Sequence, residues 1–189
     1  MDQGDHELLS LLAIDLDGHF RQLVEVYQQR LYLFALRLAG RPDDAEDIVQ
    51  EAFLHAYYYL KGTPTRKVRI LNLRKWLYTI TLNIFRNRTR KHELHVISLD
   101  LPENSTALDI ADQALGPDEE AYWHEWRHEL EADVASLPEH YRMPVTLYLF
   151  EEFSYAEIAE LLDQPIGTVK VYISRAKYLL RQLLEPRTE

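Results

Sequence analysis

Apolar positions recur at steps of three and four residues through most of the chain, the spacing that places them on one face of an α-helix. Helices are predicted over about residues 15–38, 43–60, 73–92, 118–135, 155–162 and from 167 onward. Only 6 Gly and 8 Pro occur among the 189 residues, which favours long helices over a turn-rich β fold. We therefore predict an all-α protein.

Three patterns typical of helix starts occur along the chain. In each, a Ser or Asp is followed three residues later by Glu, so that the first side chain accepts a hydrogen bond from the backbone of the new helix. The pairs are Asp43 with Glu46, Ser136 with Glu139 and Ser154 with Glu157. Pro144 follows the second pair closely, and the sequence leaves open whether it kinks that helix or marks its true start.

Residues 96–117 show no sustained periodicity and contain Pro102, Gly116 and Pro117. They are too weakly apolar to form a core of their own, so we interpret them as a flexible acidic linker. This divides the chain into an N-terminal helical domain over residues 1–95, the linker over 96–117 and a C-terminal domain over 118–189.

The end of the chain predicts a helix-turn-helix, in which a short helix and a tight turn lead into a longer basic helix that enters a DNA groove. In the second helix the predicted inward residues are Val169, Ile173, Ala176, Leu180 and Leu183. The predicted outward residues carry donors for phosphates and base edges, and they are Lys170, Ser174, Arg175, Lys177, Tyr178 and Arg181. Thr168 adds a hydroxyl beside the free backbone N–H groups of the first turn.

The formal net charge of −10 hides an uneven distribution. Residues 61–91 contain ten basic side chains and no acidic one, residues 96–163 are strongly acidic, and residues 164–187 are basic again. Two basic segments separated by an acidic one predict two surfaces for a polyanion. Ordinary solvated helix faces are the alternative interpretation.

Composition excludes several other classes of protein. The chain has no Cys, which excludes disulfides and thiolate chemistry. No apolar run reaches the roughly 20 residues that span a bilayer. Acidic residues stand where a signal peptide carries basic ones. We expect a soluble, cytoplasmic protein without membrane insertion. Because no phosphate-binding glycine loop or nucleophile motif is present, we predict neither an enzyme nor a cofactor.

One motif points to a different chemistry. Residues 124–128 read H-E-W-R-H and match H-E-x-x-H, in which two histidines on one helix face bind zinc. Arg127 places a cation beside such a site, and no third ligand is evident. An accidental match is therefore favoured over a metal site at His124 and His128.

Three segments together resemble bacterial RNA polymerase sigma factors of the sigma-70 family. Residues 41–60 and 72–91 resemble the two central segments of the N-terminal sigma domain, and 136–184 resembles the C-terminal promoter-binding domain. They carry D-A-E-D-I-V-Q-E from Asp44, S-Y-A-E-I-A from Ser154 and P-I-G-T-V-K from Pro165. The length and the direct linker are similar to the extracytoplasmic-function (ECF) group. The resemblance implies a region 2-like helical bundle and a region 4-like helix-turn-helix domain.

The resemblance also implies three sets of contacts. Docking on the large-subunit clamp of the polymerase is implied for Asp44, Asp47, Gln50 and Glu51. Contact with the minus-ten element is implied for Arg74, Trp76, Asn83, Arg86, Asn87, Arg90 and Lys91. A position along the strand as it opens is implied for Arg66, Lys67, Arg69 and Arg74. Contact with the minus-thirty-five element is implied for Tyr155, Thr168, Lys170, Val171, Tyr172, Ser174, Arg175 and Lys177. The implied partners are core RNA polymerase, through its clamp and flap, and promoter DNA. An anti-sigma factor is common in the family, although no residue here indicates one.

Some positions depart from the family pattern or allow two interpretations. Val171 and Tyr172 stand where a small polar residue and Arg usually follow Gly-Thr-Val-Lys, so the base preference does not transfer. A thymine methyl suits Val171, whereas Tyr172 suits either a phosphate or internal packing. The loop over residues 61–72 is unusually basic for the base-capturing loop of the family. Trp76 is in phase with Leu77 and is expected in the core rather than against a base.

Two broader alternatives stay open from the sequence. The linker acids Asp100, Glu103, Asp109 and Asp112 suit either a path through the polymerase cleft or a plain tether. The C-terminal half equally suits a helix-turn-helix transcription regulator that binds DNA without being a polymerase subunit. That second interpretation leaves the basic helix over residues 73–92 unexplained.

Overall fold

The computed structural model describes residues 3–93 and 130–184. Within these residues the protein has nine α-helices and no strand, as the sequence predicts. The helices are α1 (Gln3–Ile14), α2 (Leu16–Ala39), α3 (Pro42–Gly62), α4 (Thr65–Val68), α5 (Leu73–Glu93), α6 (Leu130–Ser136), α7 (Glu139–Leu149), α8 (Tyr155–Leu162) and α9 (Ile166–Leu184). They form two compact units, which divide after residue 87. The linker lies outside the described residues, so the division into 1–95, 96–117 and 118–189 stays a prediction.

Helix α2 begins and ends at residues that cap its backbone. The Asp15 carboxylate accepts a hydrogen bond from the Gly18 N–H at 3.0 Å. At the other end Gly40 adopts a left-handed conformation with φ of 71°, and its N–H donates to the Leu36 carbonyl at 2.8 Å. Glycine adopts this conformation without the steric cost of a side chain, so the chain turns sharply into α3.

The core of the first unit lies between α2 and α3. The predicted stripe of α2 is buried at Leu23, Tyr27, Leu31, Phe34 and Leu38. It meets the small and branched side chains of α3, which are Ala45, Ile48, Val49, Ala52, Phe53 and Ala56. The alanines allow close approach of the two helices, while the larger residues fill the space between them.

Helix α1 is an element that the sequence analysis did not predict. Its residues Leu8, Leu9 and Leu12 are buried, and the helix packs against α2 and α4. The Tyr27 hydroxyl donates to the buried Asp5 carboxylate at 2.6 Å. This bond supplies the carboxylate with a partner inside the core, where an unpaired polar group is costly.

The predicted cap at the start of α3 is wrong. The helix begins at Pro42, and Arg41 is the cap residue, with no side-chain hydrogen bond to the helix. Proline suits the first helical position because its fixed φ is already helical and its missing N–H has no partner there in any case. Asp43 and Asp44 consequently lie inside the first turn, where their charge interacts favourably with the helix dipole.

Helix α5 buries more of its surface than predicted. Leu77, Ile84 and Phe85 are buried as expected, but Trp76 and Ile80 are only half-buried. The remaining core positions of this helix are Leu73, Tyr78, Thr81 and Leu82. Tyr78 packs on Phe34 of α2 with ring centroids 4.9 Å apart, so α5 joins the same core as α2 and α3.

The second unit is built from α6 to α9, with α9 packed against α6, α7 and α8. Its core cluster comprises Leu130, Val134, Leu137, Val145, Phe150, Ala176, Leu180 and Leu184. Leu183, which was predicted to face inward, is 41% exposed, and Leu184 takes its place. The predicted phase of α9 is therefore wrong by one residue at its end.

The start of α7 differs from the predicted capping pair. The Ser136 hydroxyl donates back to the Asp133 carbonyl at 2.6 Å, and Pro138 is the cap residue of α7. Pro144 lies buried inside the helix and does not mark its start. Arg142 donates from Nη1 to the Ala135 carbonyl at 3.1 Å, which ties α7 to α6. Burial lowers the pKa of the Arg142 guanidinium below its ordinary value.

We expect Tyr27→Phe to destabilise the first unit by about 1–3 kcal/mol, because it leaves the buried Asp5 carboxylate without its donor. Tyr57→Phe is the matched control, since Tyr57 donates to Asp17 at the same distance of 2.6 Å but at an exposed site. Its loss should be smaller. Urea unfolding of the full chain, followed by hydrogen exchange in residues 3–39, measures both, and equal losses would contradict this ranking.

The same tyrosine should make the first unit sensitive to alkali. Burial, and then the hydrogen bond to Asp5, raise the pKa of Tyr27 above its ordinary value near 10. Because the folded pKa is raised, the stabilisation is complete below pH about 10 and is lost as the pH rises further. The free energy of unfolding of Tyr27→Phe should therefore decline less steeply above pH about 10 than that of the wild type.

Candidate nucleic-acid and protein interfaces

The outer face of α3 carries the four residues predicted to dock on the polymerase. Asp47 and Gln50 are exposed, and Asp44 and Glu51 are half-buried. Asp44 lies 3.5 Å from the Arg41 guanidinium, and Glu51 lies 3.8 Å from the His55 ring. Such pairs at the surface contribute little to stability, so both carboxylates can exchange these contacts for those of a partner.

Two apolar residues on the same face were missed from the sequence. Leu54 is 57% exposed and Tyr58 is 69% exposed. They follow Asp47 by seven and eleven residues, which places them within about 20° of it around the helix. The face therefore combines negative charge with apolar area. The helical spacing of the acidic residues, continued along α3, would have predicted that these two apolar residues lie on the same face.

The predicted minus-ten residues of α5 lie on one side of the helix. Asn83, Asn87 and Arg90 are exposed at steps of four and three residues. Arg74 and Arg86 are half-buried, and the side chain of Lys91 lies outside the described residues. This side of α5 thus presents two amides and a guanidinium together.

The sequence allows Trp76 either a place in the core or a contact with a DNA base, and the structure places it at the edge of the core. It is half-buried, and its ring packs on Tyr59 of α3 at 5.1 Å between centroids. The indole thus contributes to the contact between α3 and α5 while part of its surface stays accessible. The position of Trp76 is consistent with a structural role, and a contact with a DNA base is not needed to explain it.

The helix-turn-helix is formed by α8 and α9. The predicted capping box is confirmed, since the Ser154 hydroxyl accepts from the Glu157 N–H at 3.3 Å and the Glu157 carboxylate accepts from the Ser154 N–H at 2.9 Å. Asp163 ends α8 in a left-handed conformation with φ of 52°. The Gln164 N–H then donates to the Ala159 carbonyl at 3.0 Å, which closes the turn.

The surface of α9 presents most of the predicted DNA-binding residues. Val171 is exposed, and Thr168, Lys170, Ser174 and Arg175 are half-buried. The Arg175 guanidinium lies 5.6 Å from the ring centroid of Tyr178. This cation–π contact holds the guanidinium beside the helix.

Two predicted DNA-binding tyrosines take part in aromatic contacts. Tyr172 lies 5.5 Å from His140 and 5.7 Å from Tyr141 of α7, between ring centroids, so internal packing accounts for this residue. Tyr155 stacks on Tyr148 with centroids 5.0 Å apart and planes 13° apart. Both rings are half-buried and keep an accessible edge.

The prediction that Lys177 faces outward is wrong. The residue is 5% exposed, and its Nζ lies 4.5 Å from the ring centroid of Tyr148. The reason is helical phase, because Lys177 follows Ile173 by four residues and so falls on the buried face of α9. Its charge lies over an aromatic ring, and the residue belongs to the interior of the unit.

Other expectations fall outside the described residues. These are the metal candidates His124 and His128 and the linker acids Asp100, Glu103, Asp109 and Asp112. In residues 3–93 and 130–184, no three His, Cys, Asp or Glu side chains cluster in a way that could hold a metal ion. None of the helices in those ranges is long and apolar enough to cross a membrane.

Comparison with known proteins identifies the two units. The family model Sigma-70 region 2 matches residues 23–94, and the model Sigma-70, region 4 matches residues 127–180. The ECF RNA polymerase sigma factor SigW of Bacillus subtilis is 31% identical over 171 residues, covering 87% of this chain and 88% of its own. The ECF RNA polymerase sigma-E factor of Escherichia coli K12 is 30% identical over 174 residues, covering 88% and 87%.

Solved structures share the same fold. The sigma factor RpoE of Bartonella quintana, in complex with the anti-sigma factor NepR, superposes with a TM-score of 0.63 at 27% identity, covering 88% of this chain and 96% of that one. CnrH, in complex with the cytosolic domain of CnrY, also gives 0.63, at 21% identity and over 96% and 97% of the two chains. The second likeness concerns the fold alone.

The chain therefore belongs to the sigma-70 family of RNA polymerase sigma factors. Within that family SigW and the sigma-E factor are of the ECF type, and so is this chain. A sigma factor is a non-enzymatic subunit that directs RNA polymerase to promoters, and the alternative of a regulator acting without polymerase is not favoured.

We expect Lys177→Ala to lower the free energy of unfolding of the second unit by about 1–2 kcal/mol, because it removes a buried cation–π contact and the packing of the lysine stem. Arg181→Ala is the control, since it removes an equal charge from an exposed position of the same helix. Urea unfolding followed by hydrogen exchange in residues 139–184 measures both variants. Equal stability of Lys177→Ala and wild type would contradict the structural role.

Proposed function

We propose that this sigma factor uses three separate surfaces during initiation. The outer face of α3 docks on the polymerase clamp, α5 contacts the minus-ten element as it opens, and α9 reads the minus-thirty-five element as duplex. The observation that carries the proposal is the chemical contrast inside the first unit. An acidic face on α3 suits a basic protein surface, whereas a face on α5 bearing amides and a guanidinium suits nucleic acid.

The α3 face has the composition of a protein interface. Its acids provide electrostatic steering towards a basic partner, which raises the association rate. Leu54 and Tyr58 provide apolar area that loses contact with water only when a partner covers it. Negative charge and apolar area on one helix face support the docking interpretation. The alternative, in which the acids are merely solvated residues at a helix start, leaves both apolar residues without a role.

The α5 face suits a strand with unstacked bases. The amides of Asn83 and Asn87 can donate to and accept from base edges, and Arg90 can neutralise a phosphate. A melted strand requires such a cationic track together with groups that recognise exposed bases. Its position on a rigid helix, packed on α2 through Tyr78, supports a role in selecting the opened state.

The α9 face suits the major groove of duplex DNA. Lys170 and Arg175 supply charged donors, Ser174 supplies a hydroxyl, and Val171 supplies an apolar contact of the kind that thymine methyl groups make. Thr168 lies in the first turn, where backbone N–H groups point towards a phosphate. We leave Lys177 out of this surface because it is buried.

Two further proposals follow from the relatives. A sigma factor works where RNA polymerase works, so we propose that this protein acts in the cytoplasm. We also propose an anti-sigma partner, since the structurally similar RpoE of Bartonella quintana was solved with the anti-sigma factor NepR.

Reversing the charge of the α3 face should weaken binding to core polymerase. For Asp47→Arg combined with Gln50→Ala we expect the Kd for core to rise at least about tenfold, with the fold unchanged. Glu25→Arg is the control, because it makes the same charge reversal at an exposed position of another helix, α2. Fluorescence anisotropy of the labelled protein titrated with core gives both constants. Unchanged affinity in the double variant would remove the docking surface.

The function as a whole is tested by transcription in vitro. Purified protein and core polymerase are mixed with fragmented host DNA, and RNA 5′ ends are sequenced with and without the protein. We expect a discrete set of new start sites that share two spaced motifs. If folded protein and active core give no new starts, the proposed use of all three surfaces is wrong.

On a promoter found in this way, Arg175→Ala should reduce transcription at least about fivefold, since loss of one base-reading arginine costs about 1–3 kcal/mol. The reduction should vanish on a template whose upstream element has been deleted. Equal output of Arg175→Ala and wild type from the intact promoter would refute the assignment.

A further inference from the structure

A stripe of four side chains runs along one side of α9, and two of them take no part in the surfaces proposed above. Its members stand at steps of four, three and four residues, which places them within about 60° of one another around the helix. They are Val171, Arg175, Tyr178 and Gln182. Val171 and Arg175 belong to the proposed DNA-reading surface, whereas Tyr178, which is 50% exposed, and the exposed Gln182 lie beyond it.

The last three members of this stripe are linked by contacts. The Gln182 amide donates to the Tyr178 hydroxyl at 2.8 Å, and the Arg175 guanidinium lies 5.6 Å from the centroid of the Tyr178 ring. Side chains of a helix tilt towards its N-terminus, so each one leans over the residue three or four positions before it. The amide therefore contacts the far end of the tyrosine, and the tyrosine ring contacts the guanidinium.

An aromatic ring is a suitable partner for a cation that must also bind DNA. A carboxylate would hold the guanidinium more strongly, but its negative charge would repel the phosphates. The face of a tyrosine ring attracts a cation without carrying a net charge. Helix α9 contains no acidic residue, so no carboxylate of this helix competes with DNA for Arg175.

We propose that Tyr178 is a positioning residue, which orients the Arg175 guanidinium for a base edge in the minus-thirty-five element. This role rests on the proposed function, since it requires that Arg175 read that element. An arginine distinguishes bases through two parallel hydrogen bonds, which require the plane of the guanidinium to be aligned with the base. Contact with an aromatic face restricts that plane. Tyr178 therefore sharpens the discrimination between bases, although Arg175 forms the contact.

The test measures base discrimination in transcription by the full chain with core polymerase. Templates carry a mapped promoter, either intact or with one base pair of the upstream element replaced. Discrimination is the ratio of output from the intact template to output from a replaced one, so differences in the amount of active protein cancel. The base pair read by Arg175 is the one at which Arg175→Ala loses its discrimination.

Three variants separate the ring from the hydroxyl and from a general effect on α9. Tyr178→Leu removes the ring and retains an apolar side chain with good helix propensity. Tyr178→Phe retains the ring and removes the hydroxyl. Leu183→Ala is the control, because it shortens a side chain that is 41% exposed and lies about 140° away around the same helix.

At the base pair read by Arg175 we expect Tyr178→Leu to lower the discrimination about threefold, the size expected for loss of an exposed cation–π contact. Tyr178→Phe and Leu183→Ala should discriminate as the wild type does. In the Arg175→Ala background, Tyr178→Leu should cause no further loss, because the ring then has no guanidinium to orient.

Wild-type discrimination by Tyr178→Leu would overturn the positioning role, and so would an equal loss in the Arg175→Ala background. An equal loss in Tyr178→Phe would overturn it as well, since the hydroxyl rather than the ring would then act. If Arg175→Ala itself discriminates as the wild type does at every base pair, reading by α9 has failed and the role of Tyr178 with it. That result differs from a failure confined to Tyr178, in which Arg175→Ala alone loses discrimination.

Discussion

The apolar face of each helix must be buried, and in both units this requirement decides which polar side chains remain outside. On α3, burial of Ile48 and Ala52 against α2 turns Asp47 and Gln50 outward. On α9, burial of Ile173 leaves Val171 at the surface by the same helical geometry. The proposed interaction surfaces of this sigma factor are therefore the exposed faces of helices whose opposite faces are buried. A shift of one residue in helical phase would change which side chains lie on each face.

Several tyrosines pack in or beside these cores and contact charged groups there. The chain has 12 of them. Tyr27 satisfies the buried Asp5 carboxylate, the Tyr57 hydroxyl joins α3 to Asp17 of α2, and Tyr148 lies under the ammonium of Lys177. A tyrosine provides an apolar ring for packing and a polar tip or a negative ring face for a charge. Tyrosines therefore allow a chain with 28% charged residues to accommodate charged groups in and beside its small cores.

Local chemistry made much of this structure predictable. The bounds of α2 and α5 follow from periodicity to within about one residue, and the capping box at Ser154 follows from two side chains three residues apart. The family also follows from sequence, because its motifs are short contiguous runs in the right order. Helical spacing and capping depend on neighbours within one turn, and those neighbours are visible in the chain.

The order of apolar, polar and charged residues by itself determined an all-helical protein with acidic, basic and helix-turn-helix segments, and the resemblance of three motif-bearing segments indicated the sigma-70 family. Tertiary structure alone decided that the Lys177 ammonium lies over the Tyr148 ring and that Tyr172 packs on α7. It also paired Asp5 with Tyr27, 22 residues apart, and Asp17 with Tyr57, 40 residues apart. These outcomes depend on which helix faces meet, and contacts between distant faces leave no periodic signal along the chain.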